Sequence, residues 1–242
     1  MTEKFKQVFK TEKPIIGMLH LLGGTHQEIA DNAIKEMKSM LSRGVAAVLA
    51  ENYFGSIKDV EAVLAILQRD YPEVVYGVNV LSDFEAAFKL AQRYGVKFIQ
   101  VDSICGHLIP ARERSYFERI DALRADCDAL LLGGVRFKYQ PVCSGRSLEE
   151  DLGIGMQHCD AIVVTGEGTG IGTDLEKIKQ FRSILGEFPL IVGAGLTAET
   201  VREQLAYADG GIVGSYFKHN GDACNYMDEA RVERFMAAAN GN

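Results

Sequence analysis

Leu190-Ile191-Val192-Gly193-Ala194-Gly195-Leu196-Thr197 is a short apolar run that breaks into a glycine-rich turn, and Gly211-Ile212-Val213-Gly214-Ser215 repeats the pattern one unit later. An apolar, β-branched run reads as a strand buried on both faces, and the glycines behind it as the turn that leaves the strand's carboxyl end. Outward from this pair the same run recurs along the chain, beginning near Ile15, Ala46, Val74, Lys97, Leu130 and Ala161. A helical pattern separates each run from the next. The spacing approaches the ~30 residues of a βαβ unit, and eight such units predict closure into a barrel.

The helices are read from periodicity and punctuation. Ile29, Ala33, Met37, Met40 and Leu41 share one face, and Gly44 follows as a stop. Ser82 with Glu85, Ser147 with Glu150, and Thr173 with Glu176 have capping-box spacing and mark three helix starts. In the fourth unit, the helix of Tyr116, Phe117, Ile120 and Leu123 follows an irregular Cys105–Arg114 connection. The expected fold class is α/β, a (β/α)8 TIM barrel in a single domain over residues 1–242, with the barrel proper at about 14–239. A chain of 242 residues suits that size.

Composition narrows the function classes. Hydrophobic residues make up 47% and charged residues 24%, an ordinary globular balance. A formal net charge of -7 without a Lys/Arg cluster opposes binding to nucleic acid or to an anionic membrane surface, so a small molecule is the expected partner. Met1–Pro14 is mixed in charge, and no apolar run approaches the ~20 residues of a spanning helix. A cytoplasmic protein without membrane insertion is therefore expected. Cys105, Cys127, Cys143, Cys159 and Cys224 are odd in number and widely spaced, which fits reduced thiols.

In a TIM barrel the site lies at the carboxyl ends of the strands. Polar residues end many of the runs here: His20, Glu51 with Asn52, Asn79, Asp102, Lys138 and Thr165. His20, Glu51, Asn79, Asp102 and Lys138 form the expected catalytic set, with His20 and Lys138 the favoured acid–base pair. The plainer alternative makes Asn79 and Asp102 loop or cap residues, His20 a histidine bonded under a loop, and Lys138 a solvated rim lysine.

Gly193, Ala194 and Gly195 after the seventh strand, with Gly214 and Ser215 after the eighth, occupy the position where barrels commonly bind phosphate. Glycines let backbone amides approach an anion, and a following helix N-terminus adds partial positive charge. Thr165, Gly166 and Lys218 complete the expected phosphate and substrate set, Lys218 as countercharge. The alternative is that the glycines only make tight turns.

Gly166-Glu167-Gly168-Thr169-Gly170-Ile171-Gly172 is no dinucleotide fingerprint, because it follows the sixth strand, and no Gly-Lys-Ser/Thr makes it a P-loop. It reads as a flexible lid. The histidines lack H-x-H or H-x-x-x-H spacing, so no metal site and no cofactor is expected, with a divalent ion at His20, Glu51 and Asp102 left open.

Pro14-Ile15-Ile16-Gly17-Met18-Leu19-His20-Leu21, Glu51-Asn52, Gly77-Val78-Asn79-Val80-Leu81, Val164-Thr165-Gly166 and Gly211-Ile212-Val213-Gly214-Ser215-Tyr216-Phe217-Lys218, taken in order, resemble the BtpA family. The resemblance implies a barrel of the ribulose-phosphate-binding type. Family members are named after a photosystem I biogenesis factor, and others are labelled nucleosidases or sugar-phosphate enzymes. The chain departs from the family pattern at Leu22-Gly23-Gly24-Thr25, in place of a proline-rich stretch, and at Tyr139, where a histidine is common after the lysine.

The leading expectation is an enzyme acting on a phosphorylated sugar or phosphoribosyl-type compound, by isomerisation or by cleavage of a C–N or C–C bond. A phosphoribosylanthranilate isomerase-like reaction is one concrete version. His20 or Glu51 would move the proton, Lys138 would polarise a carbonyl or form a Schiff base, and Asn79 and Asp102 would orient hydroxyls. The other class is a ligand-binding assembly factor without catalysis. Homo-oligomerisation is expected only as the common state of such proteins.

Overall fold

The computed structural model describes residues 2–241. Eight parallel strands close in sequence order into one barrel: β1 Ile15–Leu19, β2 Ala47–Glu51, β3 Tyr76–Asn79, β4 Phe98–Cys105, β5 Leu130–Val135, β6 Ala161–Val164, β7 Leu190–Val192 and β8 Gly210–Val213. The first strand closes on the last through Ile15–Gly17 against Gly211–Val213. Every strand begins within two residues of its expected position. The TIM-barrel reading is correct.

Two apolar clusters build the barrel. One lies between strands and helices and takes in Ile15, Val48, Val78, Ile99, Leu131 and Ile162. The other fills the interior with the alternate residues of the same strands, including Ile16 and Met18, Ala47 and Leu49, Phe98, Leu132, Val163 and Ile212. This is the period-two alternation of strands buried on both sides.

Around the barrel run α2 His26–Ser42, α3 Ile57–Asp70, α4 Phe84–Tyr94, α5 Pro110–Ala125, α6 Leu148–His158, α7 Leu175–Leu185, the short α8 Val201–Leu205, and α9 Glu229–Ala239. A helix that the sequence did not signal, α1 Glu3–Phe9, closes the lower end. Phe5 and Phe9 belong to the interior cluster, and the Phe9 ring stands 5.3 Å from that of Phe98 at the start of β4.

The caps partly correct the expectations. Ser147 and Glu150 form the capping box read for α6. Asp83, one residue past Ser82, caps α4 by accepting from the Ala86 amide, and Ser82 instead takes a left-handed backbone. Asp174 caps α7, because the Thr173 hydroxyl is spent on the Ala194 carbonyl at 3.0 Å. A capping box that was not expected, Ser56 with Asp59, starts α3. β4 does not stop at Val101 but continues to Cys105, with its register against β5 shifting between Val101 and Cys105.

Candidate functional site at the carboxyl mouth of the barrel

Above the apolar interior, the alternation that placed Met18, Leu49 and Phe98 inward continues with polar residues. His20 follows Met18, Glu51 follows Leu49, and Gln100 then Asp102 follow Phe98. These residues border one cavity of about 470 Å³ together with Lys138 and the turns after β7 and β8.

Glu51 is almost fully buried. The Asn79 amide donates to its Oε2 at 2.7 Å and to Asp102 Oδ1 at 3.0 Å, so one nitrogen joins the two carboxyls. Burial pushes the Glu51 carboxyl up to about 8, the Asp102 charge adds to this, and Lys138 and the Asn79 hydrogen bond oppose it. A carboxyl held in this way carries a proton near neutral pH and can donate it.

His20 shows the reverse shift. Burial, then the charges of Lys218 and Lys138, hold its imidazole down to about 3, so it stands neutral. Its Nδ1 is buried without a hydrogen-bond partner, and its ring packs 5.1 Å from that of Tyr53.

Lys138 lies on the loop after β5, between two residues with left-handed backbones, Arg136 (φ 49°) and Tyr139 (φ 61°). Such backbones cost of order 1 kcal/mol or more in non-glycine residues and persist where their surroundings impose them. The surroundings here are ionic. Asp151, fully buried, accepts from Arg136 Nε at 2.8 Å, Arg146 Nε at 3.0 Å and Ser144 Oγ at 2.9 Å. Arg146 also grips Glu113 through both carboxylate oxygens, each at 2.6 Å. The Lys138 amide donates to Thr165 Oγ1 at 2.9 Å, and its ammonium reaches Thr169 Oγ1 at 3.3 Å.

The turns after β7 and β8 bring backbone to the cavity at Gly193, Ala194, Gly195, Gly214 and Ser215. Two of their glycines are required by their surroundings. A Cβ on Gly195, whose φ is +68°, would stand 2.3 Å from the Ile171 carbonyl oxygen, and one on Gly214 would stand 2.6 Å from His20 Cε1. The helix-dipole contribution expected after these turns is largely missing. α8 has five residues, and after Gly214 the chain enters only a three-residue 3-10 turn, Ser215–Phe217.

Four expected residues do not border the cavity. Asn79 lies behind Glu51 and Asp102. Thr165 supports the Lys138 loop and accepts from Lys177 Nζ at its carbonyl, 2.7 Å away. Gly166 packs where a Cβ would meet the Gly172 carbonyl oxygen at 2.7 Å. Lys218 is buried and ion-paired with Glu36 of α2, so its ammonium is not a countercharge at the mouth. Cations at that end come from α9. Arg231 lies over the Tyr216 ring, 4.3 Å from its centroid, and donates to the Tyr216 carbonyl at 2.6 Å, while Arg234 pairs with Glu199 at 2.5 Å.

Arg231 and Arg234 went unread because no local pattern says that the last helix returns to the mouth. Gln100 was within reach: it lies two residues before Asp102 and two after Phe98, on the same inward face. Among the described residues, no group of three or more His, Cys, Asp or Glu side chains is arranged to hold a metal ion, and no helix is long and apolar enough to cross a membrane.

The family model described as BtpA family matches residues 11–241, which takes in the whole barrel. The chain belongs to the BtpA family. A relative from Methanocaldococcus jannaschii, described as an uncharacterized protein, is 29% identical over 95% of this chain and 96% of its own length. The photosystem I biogenesis protein BtpA of Synechocystis is 26% identical over 96% of this chain and 90% of its own. Among solved structures, phosphoribosyl anthranilate isomerase from Thermus thermophilus superposes with a TM-score of 0.65 at 13% identity, covering 94% of this chain and 98% of that one. Thiamine phosphate pyrophosphorylase from Pyrococcus furiosus gives 0.63 at 12%, covering 97% and 98%. At such identities the likeness is one of fold, and it agrees with the closed eight-stranded barrel.

Proposed function

We propose that this BtpA-family barrel is an enzyme acting on a phosphorylated sugar or phosphoribosyl-type molecule, by isomerisation or by cleavage of a C–N or C–C bond. One observation carries the reading. A single cavity of about 470 Å³ has the Glu51, Asp102 and Lys138 side chains on one part of its wall and glycine turns with two arginines on another. That volume lies within the usual range for small-ligand sites. The phosphate would rest against the backbone of Gly193–Gly195 and Gly214–Ser215, under Arg231 and Arg234, and would hold the sugar with its reacting carbons over the carboxyls.

In isomerisation, Asp102 takes a proton from carbon next to a carbonyl while Glu51 supplies one to the carbonyl oxygen and Lys138 stabilises the negative charge that develops there. Asp102 then returns its proton to the former carbonyl carbon as Glu51 recovers one from the neighbouring hydroxyl. In C–N cleavage the Glu51 proton goes to the departing nitrogen while water, deprotonated by Asp102, takes its place. In C–C cleavage Asp102 takes the proton of a hydroxyl, the electron pair leaves on the carbonyl-stabilised carbon, and the Glu51 proton goes to that carbon. His20 serves as a neutral hydrogen-bonding group. Asn79 holds the two carboxyls in register. The loop of Thr169 and Gly170, tied to Lys138 and Tyr139, covers the ligand. Solved barrels of this fold include enzymes whose names specify phosphoribosyl and phosphate substrates, which supports the substrate class by analogy.

Incubation with a panel of pentose and phosphoribosyl phosphates in D2O, followed by proton and phosphorus NMR, tests the reading. Deuterium entering a carbon position, or a new phosphorylated product, should appear with one compound and vanish in Glu51→Gln. The name of the Synechocystis relative favours a second reading, an assembly factor that binds such a ligand without converting it. Tight binding with no change in any compound would select that one.

A further inference from the structure

β4 turns Phe98, Gln100 and Asp102 to the barrel interior in succession, and the middle one is the least explained. Gln100 is 5% exposed and yet forms part of the cavity wall. Its Nε2 donates to Asp102 Oδ1 at 2.9 Å. A carboxylate only accepts, so the amide must keep its nitrogen toward Asp102, and the orientation of Gln100 is thereby decided. Its oxygen then faces the other way, buried and without a hydrogen-bond partner. Buried carbonyl oxygens are rarely left so, and because Gln100 belongs to the cavity wall this one is an acceptor that a donor from outside the protein can fill as it displaces the neighbouring side chains. Beside it, the hydrogens that Asp102 receives from Asn79 and Gln100 both fall on Oδ1. Oδ2 is left for the proton transfer proposed above.

We infer that Gln100 Oε1 is a hydroxyl-receiving subsite in the cavity wall, which binds a hydroxyl close to the carbon that Asp102 deprotonates in an acyclic or ring sugar carrying a phosphate. The inference rests on the phosphate position proposed above. Hydroxyls suit the subsite better than amines. A hydroxyl donates and also accepts, so it can give its hydrogen to Gln100 and take one from Lys138 or Glu51 on the same wall. An ammonium there would meet the Lys138 charge. Gln100 is thus a specificity residue, selecting polyhydroxylated phosphates over short or deoxygenated ones.

Gln100→Met keeps length and volume and removes the acceptor. Affinities of wild type and Gln100→Met are measured by calorimetry for inorganic phosphate, glycerol 3-phosphate and ribose 5-phosphate. The expected result is that wild type prefers ribose 5-phosphate over glycerol 3-phosphate. In Gln100→Met, ribose 5-phosphate weakens roughly tenfold, as for loss of one or two hydrogen bonds, with inorganic phosphate unchanged. Equal ribose 5-phosphate affinity in both proteins, with phosphate binding intact, would overturn the subsite alone. Failure of wild type to bind any of the three would overturn the phosphate position and the subsite with it. If Gln100→Met does not fold, the assigned side-chain amide signals of Gln100 in the wild type carry the test. They should shift with ribose 5-phosphate and not with inorganic phosphate, and no shift with the sugar would overturn the subsite.

Discussion

Glu51 and Asp102, on neighbouring parts of the mouth, share one donor: Asn79 Nδ2 stands 2.7 Å from the first and 3.0 Å from the second. Two carboxyls this close, one of them buried, cannot both ionise freely, and the buried one keeps its proton. Most of the chemistry proposed for the chain follows from that division.

The pH dependence of stability should show it. An unfolded Glu51 loses its proton near 4.5, while the folded one holds it to about 8, so its contribution falls as pH rises through that window. His20 acts in the opposite sense: folded it is neutral down to about 3, unfolded it is protonated below 6.5, and its contribution is lost as pH falls. The two slopes oppose each other where the windows overlap. In urea unfolding, the stability of wild type relative to Glu51→Gln should decline between about pH 5 and 8, by up to about 1.4 kcal/mol per unit. Relative to His20→Asn it should rise between about pH 3 and 6. A flat difference for Glu51 would mean that its carboxyl is ionised.

Lys138→Ala should lower kcat/KM by about 10²–10³, the usual scale for losing a group that stabilises developing charge. Inorganic phosphate should bind as before, since the phosphate position lies with the glycine turns and α9. Steady-state kinetics and calorimetry on the same preparation separate the two effects.

The clamp behind that lysine is a stability element. Asp151→Asn would leave Arg136 and Arg146 without their shared carboxylate inside the protein, at a cost of about 3–5 kcal/mol. The urea midpoint reports it. A loss below about 1 kcal/mol would mean that the loop after β5 is held by other contacts.

Gly214→Ala would place a methyl 2.6 Å from His20 Cε1. His20 is buried and cannot swing out, so the ring should be driven toward Tyr53 at a cost of about 1–3 kcal/mol. The ring proton shifts of His20 and the unfolding midpoint should both change.

The sequence made the barrel legible because strand and helix periods differ and each strand is framed by turns. It made His20, Glu51 and Asp102 legible as polar residues ending apolar runs. It did not disclose α1, since a seven-residue helix of mixed charge carries its meaning in where Phe5 and Phe9 go. Arg231 and Arg234 were hidden for the same reason, as their role depends on a long-range return of α9. Lys218 misled because its polar head follows a glycine turn but is met by Glu36, a partner 182 positions away. Ser82 and Thr173 have capping-box spacing, yet an aspartate one residue further on competes for each cap and wins.

The central claim is that one cavity holds a phosphate at its glycine turns and presents a sugar to Glu51, Asp102 and Lys138. Thermal unfolding against inorganic phosphate, nucleotides and a series of sugar phosphates tests it most directly, because a ligand at 100 times its Kd stabilises the native state by about 2.7 kcal/mol. A selective upward shift with a sugar phosphate, smaller with inorganic phosphate and reduced by Arg231→Ala, is the predicted result. An unchanged transition with every phosphorylated compound would contradict the account.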